Sequence, residues 1–164
     1  MKFNSVKEYF YRLNNTGYQL MMVPLIIFIY HYASVYTTSF RLELTDVIVY
    51  YTLIAINVLA VIALTTVHFY VRWQAQKLTK LTGLGLKLEK LGSVLMKRLI
   101  VLALVALCMP TALVLTHHNG FAISFGVTLL WYFVNWPTPG QVSKLLHLKG
   151  DEKEMVLSKG EAFK

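Results

Sequence analysis

Histidine is the one residue type whose placement in this chain suggests cofactor chemistry. His31, His117 and His118 fall at the ends of apolar runs that would carry them to one face of a membrane, with Glu43 and Asp46 in an adjoining loop. Two imidazoles on facing helices can ligate haem b, and imidazoles with carboxylates can hold a divalent metal such as zinc or iron. The spacing gives this little support: there is no His-x-x-Glu, no Glu-x-x-His and no repeated histidine box. Histidine and tyrosine also suit a membrane interface simply because they are amphipathic. His31, His117 and His118 therefore stand as the residues of a secondary, cofactor-binding reading.

Other chemistries fail on the residues they need. Cys108 is the only cysteine, so there is no disulfide framework, no Cys-x-x-Cys pair and no thiolate zinc site. Ser124, in Ile-Ser-Phe-Gly, has no paired base. Gly83-Leu84-Gly85 is followed neither by a glycine at the dinucleotide spacing nor by Gly-Lys-Ser/Thr, which rules against a phosphate-cradling loop. No Asp, Glu, Lys or Arg lies in the core of any apolar run, whereas proton-coupled transport and intramembrane acid catalysis use such groups despite their cost. The expectation is a protein that is not an enzyme.

The elements that carry these residues follow from composition. Of 164 residues 56% are hydrophobic and 15% charged, with a mean hydropathy of +0.53, which is the balance of a membrane protein. Four apolar runs, at 18–36, 47–71, 99–116 and 121–136, approach or reach the roughly 20 residues that cross a hydrocarbon core as helix. The fourth reaches only about 24 Å at 1.5 Å per residue, but Trp131, Tyr132 and Trp136 end it as an aromatic belt. The expected fold is an all-α integral membrane protein: a four-span antiparallel bundle over 18–136, with an amphipathic segment at 1–17, a helical hairpin at 72–98 and an amphipathic tail at 137–164.

Charge sets the expected orientation. Three basic residues precede the first run, seven lie between the second and third, and five follow the fourth; of the sixteen only Arg41 falls elsewhere. By the positive-inside rule both termini and the central loop are cytoplasmic, in the inner (cell) membrane. The net charge of +8 is thus topological, not a nucleic-acid surface. The first run is longer than a signal peptide needs and lacks a small-x-small site, so it is expected to stay as an anchor.

Finer expectations follow. Phe3, Val6, Tyr9, Phe10 and Leu13 recur at helical spacing, on a segment that either lies on the membrane or packs on the bundle before turning at residues 14–17. Pro24 is read near the start of the first span, and Thr45 or Asp46 as the cap of the second. In the hairpin, Leu78, Leu81, Leu84, Leu88, Leu91 and Leu95 form a stripe, with the turn expected at Gly83-Leu84-Gly85. Lys77, Lys80, Lys87, Lys90 and, in the tail, Lys144 are left to meet anionic headgroups or a partner. Pro110 should kink the third span. Thr138, Pro139 and Gln141 open a tail helix whose Val142, Leu145 and Leu146 suit the inner membrane surface, and Asp151 and Glu154 could cap a second helix through Leu157.

The function these features suggest is an accessory, scaffold or assembly protein, a homo-oligomer or a subunit of a larger membrane complex. Asn57, Ala103, Ala106 and Gly126 would make its helix contacts. The alternatives are the haem- or metal-binding redox protein described above and an oligomeric channel or passive carrier lined by Thr52, Asn57, Thr65 and Thr66.

Overall fold

The computed structural model describes residues 3–34 and 44–160, so Arg41, Glu43 and the last four residues lie outside it. Six helices follow one another: α1 (Val6–Ser34), α2 (Asp46–Leu78), α3 (Leu84–Thr116), α4 (Gly120–Val134), α5 (Pro139–Leu145) and α6 (Gly150–Leu157). No strand occurs among the described residues. Two helices, α2 and α3, each of 33 residues, are long and apolar enough to cross a membrane, while α4 is apolar but has 15 residues.

The helices divide between two compact units. The first is built from Met1–Tyr18, Val67–Leu99 and Trp136–Lys164 and is here called the polar unit. Its segments hold fifteen of the sixteen basic and six of the eight acidic residues, a formal charge of +9. Tyr9, Phe10 and Leu13 of α1, Leu88, Leu91 and Leu95 of α3, and Val142 and Val156 of the tail are fully buried or nearly so. Burying each such side chain contributes about 1.5–3 kcal/mol before entropic costs.

This core alters three expectations. α1 does not turn at residues 14–17 but runs on unbroken to Ser34. Those residues serve packing instead: the Trp136 indole N–H donates to Asn14 Oδ1 at 3.1 Å, and a Cβ on Gly17 would lie 3.0 Å from the same ring. Pro24 consequently sits inside α1, where it withholds a backbone donor, and not at a helix start. The apolar residues of the N-terminal segment and of the tail, expected in part at a membrane surface, are largely packed within the chain: Phe10, Leu13, Val142, Leu146 and Val156 are buried, while Tyr11 and Leu157 stay exposed.

The ends of the helices show how local chemistry and packing share control. Glu8 accepts from the Asn4 N–H and Ser5 Oγ from the Glu8 N–H, a capping box that starts α1. The Asn4 bond first, and Arg12 at 2.6 Å after it, hold the Glu8 carboxyl below its usual range. α2 stops at Leu78 and α3 starts at Leu84, so the turn comes earlier than Gly83-Leu84-Gly85: Gly83, at φ +92°, ends it, and Gly85 is already helical. Thr138 caps α5, accepting from the Gln141 N–H, with Pro139 at the first position, as the sequence led one to expect. α6 begins at Gly150 after Lys149, which makes no side-chain cap, and Asp151 and Glu152 occupy its first turn.

The second, apolar unit comprises Gln19–Thr66 and Ile100–Asn135. Its core joins Ala60 of α2, Ala106, Met109, Ala112 and Leu113 of α3, and Phe121 and Phe125 of α4. Phe28 of α1 stacks on Phe125 with ring centres 4.2 Å apart and planes 13° apart. Small residues on α2 and α3 leave room for the aromatic rings of α4.

Candidate functional site

Each unit presents one set of polar groups where chemistry or recognition could occur. In the apolar unit a cleft of about 250 Å³ is lined by Asn57 and Thr65 of α2, Ser124 and Thr128 of α4, and Trp131. Its donors are largely spent on their own helices: Asn57 Nδ2 bonds the Leu53 carbonyl at 2.8 Å, Ser124 Oγ that of Gly120 at 3.0 Å, and Thr128 Oγ1 that of Ser124 at 2.9 Å. Such back-bonding satisfies a donor without a neighbouring helix. The Asn57 side-chain oxygen is an acceptor in a cleft it shares with Thr65, Ser124 and Thr128.

The residues singled out from sequence are distributed unevenly about this cleft. Ala106 lies in the core beside Ala60, and Ala103 is buried as well. Gly126 is exposed, and nothing would lie within 4 Å of a Cβ there. Thr65 shares the cleft with Asn57, whereas Thr52, bonded to the Ile48 carbonyl, and Thr66 are not among its walls. A larger apolar groove of about 590 Å³ lies between α2 and α3 and includes Ala60, Ala63, Cys108 and Ala112.

The histidines have local duties. His31 lies in the last turn of α1, edge-on to Tyr30. His117 takes the left-handed conformation at φ 51° that ends α3, and its Nε2 is buried without a hydrogen bond. His118 Nδ1 accepts the Gly120 N–H at 3.1 Å. Among the described residues no three His, Cys, Asp or Glu side chains come together as a metal-ligating group. Of the carboxylates paired with these histidines in the sequence, Glu43 lies outside the described residues.

In the polar unit the basic residues are not equivalent. Lys87 donates to both oxygens of Glu152 in α6, at 2.8 and 3.2 Å, and its side chain is only 12% exposed. It therefore ties hairpin to tail, a role that its place in a run of lysines did not reveal. Lys77 stands 3.3 Å over the ring of Trp73, and Lys80, Lys90 and Lys144 are exposed. Arg98, the last basic residue of the hairpin segment, is buried near Tyr9 in this unit's core.

The chain matches no family model, no curated protein and no solved structure.

Proposed function

We propose that the chain is a small multi-pass membrane protein of the accessory or scaffold type, acting through helix contacts in the bilayer and through its polar unit in the cytoplasm. One observation carries the reading: within the most apolar 18 residues of α2 only 6% are buried by the chain itself, against 50% for α3. A helix so apolar and so bare is stable only in lipid or against other helices. The apolar groove beside Cys108 and, in a separate cleft, the Asn57 side-chain oxygen offer a partner helix apolar surface and a hydrogen-bond acceptor.

The proposed topology is a four-span antiparallel bundle with both termini and the hairpin cytoplasmic in the inner membrane. It is supported by the makeup of the polar unit. The three basic segments share one compact unit, so each of the stretches 19–66 and 100–135 leaves it and returns, which favours an even number of crossings. The apolar unit's formal charge is −1, in keeping with the positive-inside rule.

The test is recovery of the tagged protein from native membranes in mild detergent, followed by mass spectrometry and sizing. A stoichiometric partner chain, or a homo-oligomer that Asn57→Leu weakens, is the expected result. A monomer that copurifies with no other protein would overturn the scaffold reading, and a haem absorbance band lost on replacing His31 and His117 would transfer the function to the cofactor alternative.

A further inference from the structure

We infer that the exposed face of α2 within the polar unit, built from Phe69, Arg72, Trp73, Gln76 and Lys77, docks the headgroups of anionic phospholipids. At 3.6 residues per turn these five positions fall within one arc of about 140°. The opposite side of the same turns carries Val67, Val71, Ala75 and Leu78, all buried. The five residues of the face are all exposed, so α2 gives one side to the protein and the other to its surroundings.

The face is cationic, and no carboxylate of its own element answers it: the chain has no Asp or Glu between Asp46 and Glu89. Among the described residues the Arg72 guanidinium makes no hydrogen bond or ion pair. The Lys77 ammonium rests 3.3 Å over the Trp73 ring, a contact that orients the cation without cancelling its charge. Arg72 and Gln76 stand four residues apart and are therefore neighbours on the helix surface. A guanidinium fork matches two phosphate oxygens, and an amide beside it adds a donor. Lys87 shows by contrast what a compensated cation looks like in the same hairpin, since Glu152 takes it.

Position and direction favour a lipid over an acidic protein segment. The face follows directly on the apolar run 47–71 of α2, and Phe69 and Trp73 stand where aromatic side chains meet a membrane interface. Helical side chains lean toward the N-terminus, which for α2 is back toward that run. Lys77, lying over the ring four residues before it, shows this lean. From Trp73 to Lys77 is about 6 Å along the axis, and the headgroup layer on each side of the hydrocarbon is roughly 5–8 Å deep. α3 enters its apolar run from the other direction, and Lys90 precedes that run by about 13 Å of helix, beyond the layer. This inference rests on the membrane reading above and names the lipid that its cytoplasmic side prefers.

The experiment compares phosphatidylglycerol and phosphatidylcholine retained by the full-length protein in detergent, read by native mass spectrometry. The ratio of the two within each variant reports the headgroup and not the fold. Wild type should hold phosphatidylglycerol in preference. Arg72→Gln and Lys77→Gln should each lower the ratio about five-fold, the effect of one basic contact near an anionic surface, and Lys90→Gln should leave it unchanged. Equal retention of both lipids by wild type, or a wild-type ratio in both Arg72→Gln and Lys77→Gln, would overturn the surface. So would a ratio that Lys90→Gln lowers as much, because any charge would then serve. Absence of a lipid preference together with a copurified acidic protein lost on Arg72→Gln would reassign the face to a protein partner. An alkaline carbonate wash separates the two readings: release of the protein from membranes defeats the membrane reading itself, whereas a protein that stays while both variants keep the wild-type ratio defeats only the docking surface.

Discussion

At the residue scale, Tyr9 and Gly17 show how the polar unit is held together. The Tyr9 hydroxyl is buried without a hydrogen-bond partner, and burial drives its pKa well above the usual 10.0, with the nearby Arg98 charge opposing. Removing an unmet buried hydroxyl is neutral to favourable, so Tyr9→Phe should raise stability by up to about 1 kcal/mol near neutral pH. A raised folded pKa stabilises the native state below the unfolded value and loses that contribution as pH rises. Above about pH 10 the unfolded phenol gives up its proton and the folded one does not. Wild type should therefore lose stability more steeply than Tyr9→Phe between pH 9 and 11, in thermal melts; parallel curves would contradict the assignment. Gly17→Ala gains up to about 1 kcal/mol of helix propensity but puts a methyl 3.0 Å from Trp136 and 3.4 Å from Leu99. Trp136 is fixed by Asn14 and by Tyr18, whose ring centre is 4.6 Å away, and cannot yield. The net expectation is a loss of about 1 kcal/mol, given overpacking costs of roughly 1–3 kcal/mol, measured by chemical denaturation.

At the element scale, the helix stops carry an unusual signature. α5 ends with the Leu148 N–H bonded to the Ser143 carbonyl and the His147 N–H to that of Lys144, with His147 at φ 49° and Leu148 buried. This is the paired-bond ending that glycine normally makes. α6 repeats the pattern with Lys159 and Gly160. Histidine in that conformation costs more than glycine, so His147→Gly should stabilise the protein by about 0.5–1 kcal/mol, visible as a higher melting temperature. An unchanged or lower value would mean that the His147 side chain makes a contact worth as much. These stops were hard to read in the sequence because the signal sought is a glycine, and the left-handed positions hold His and Lys. The starts were easier: Thr138-Pro139 announces α5, and Ser5-x-x-Glu8 announces α1 to a reader who looks for it.

At the scale of the whole molecule, the exposed apolar face of α2 makes a prediction that needs no mutagenesis. Cys108 is the only cysteine and is exposed on α3 in the apolar unit. In a bilayer it should resist a charged, membrane-impermeant thiol reagent in intact vesicles and react readily once detergent is added. Fast labelling in sealed membranes, from either side, would mean that this face meets water and that the span assignment of α3 is wrong.

Much of the architecture was legible from composition and spacing: helices throughout, two of them long and apolar, the start of α5, and the leucine stripe whose Leu78, Leu88, Leu91 and Leu95 are buried. Hydrophobic run length and period are local properties, and a helix satisfies its backbone locally, so the chain alone determines them. What only the tertiary structure decided is how segments far apart in sequence use one another. Asn14 and Gly17 read as a turn until Trp136, more than a hundred residues on, makes them a packing site. Lys87 reads as a cation left for headgroups or a partner until Glu152 reaches it, and Lys159 as a tail residue until its turn meets α1. Long-range pairing has no period in the sequence; it depends on which faces meet after the helices have formed.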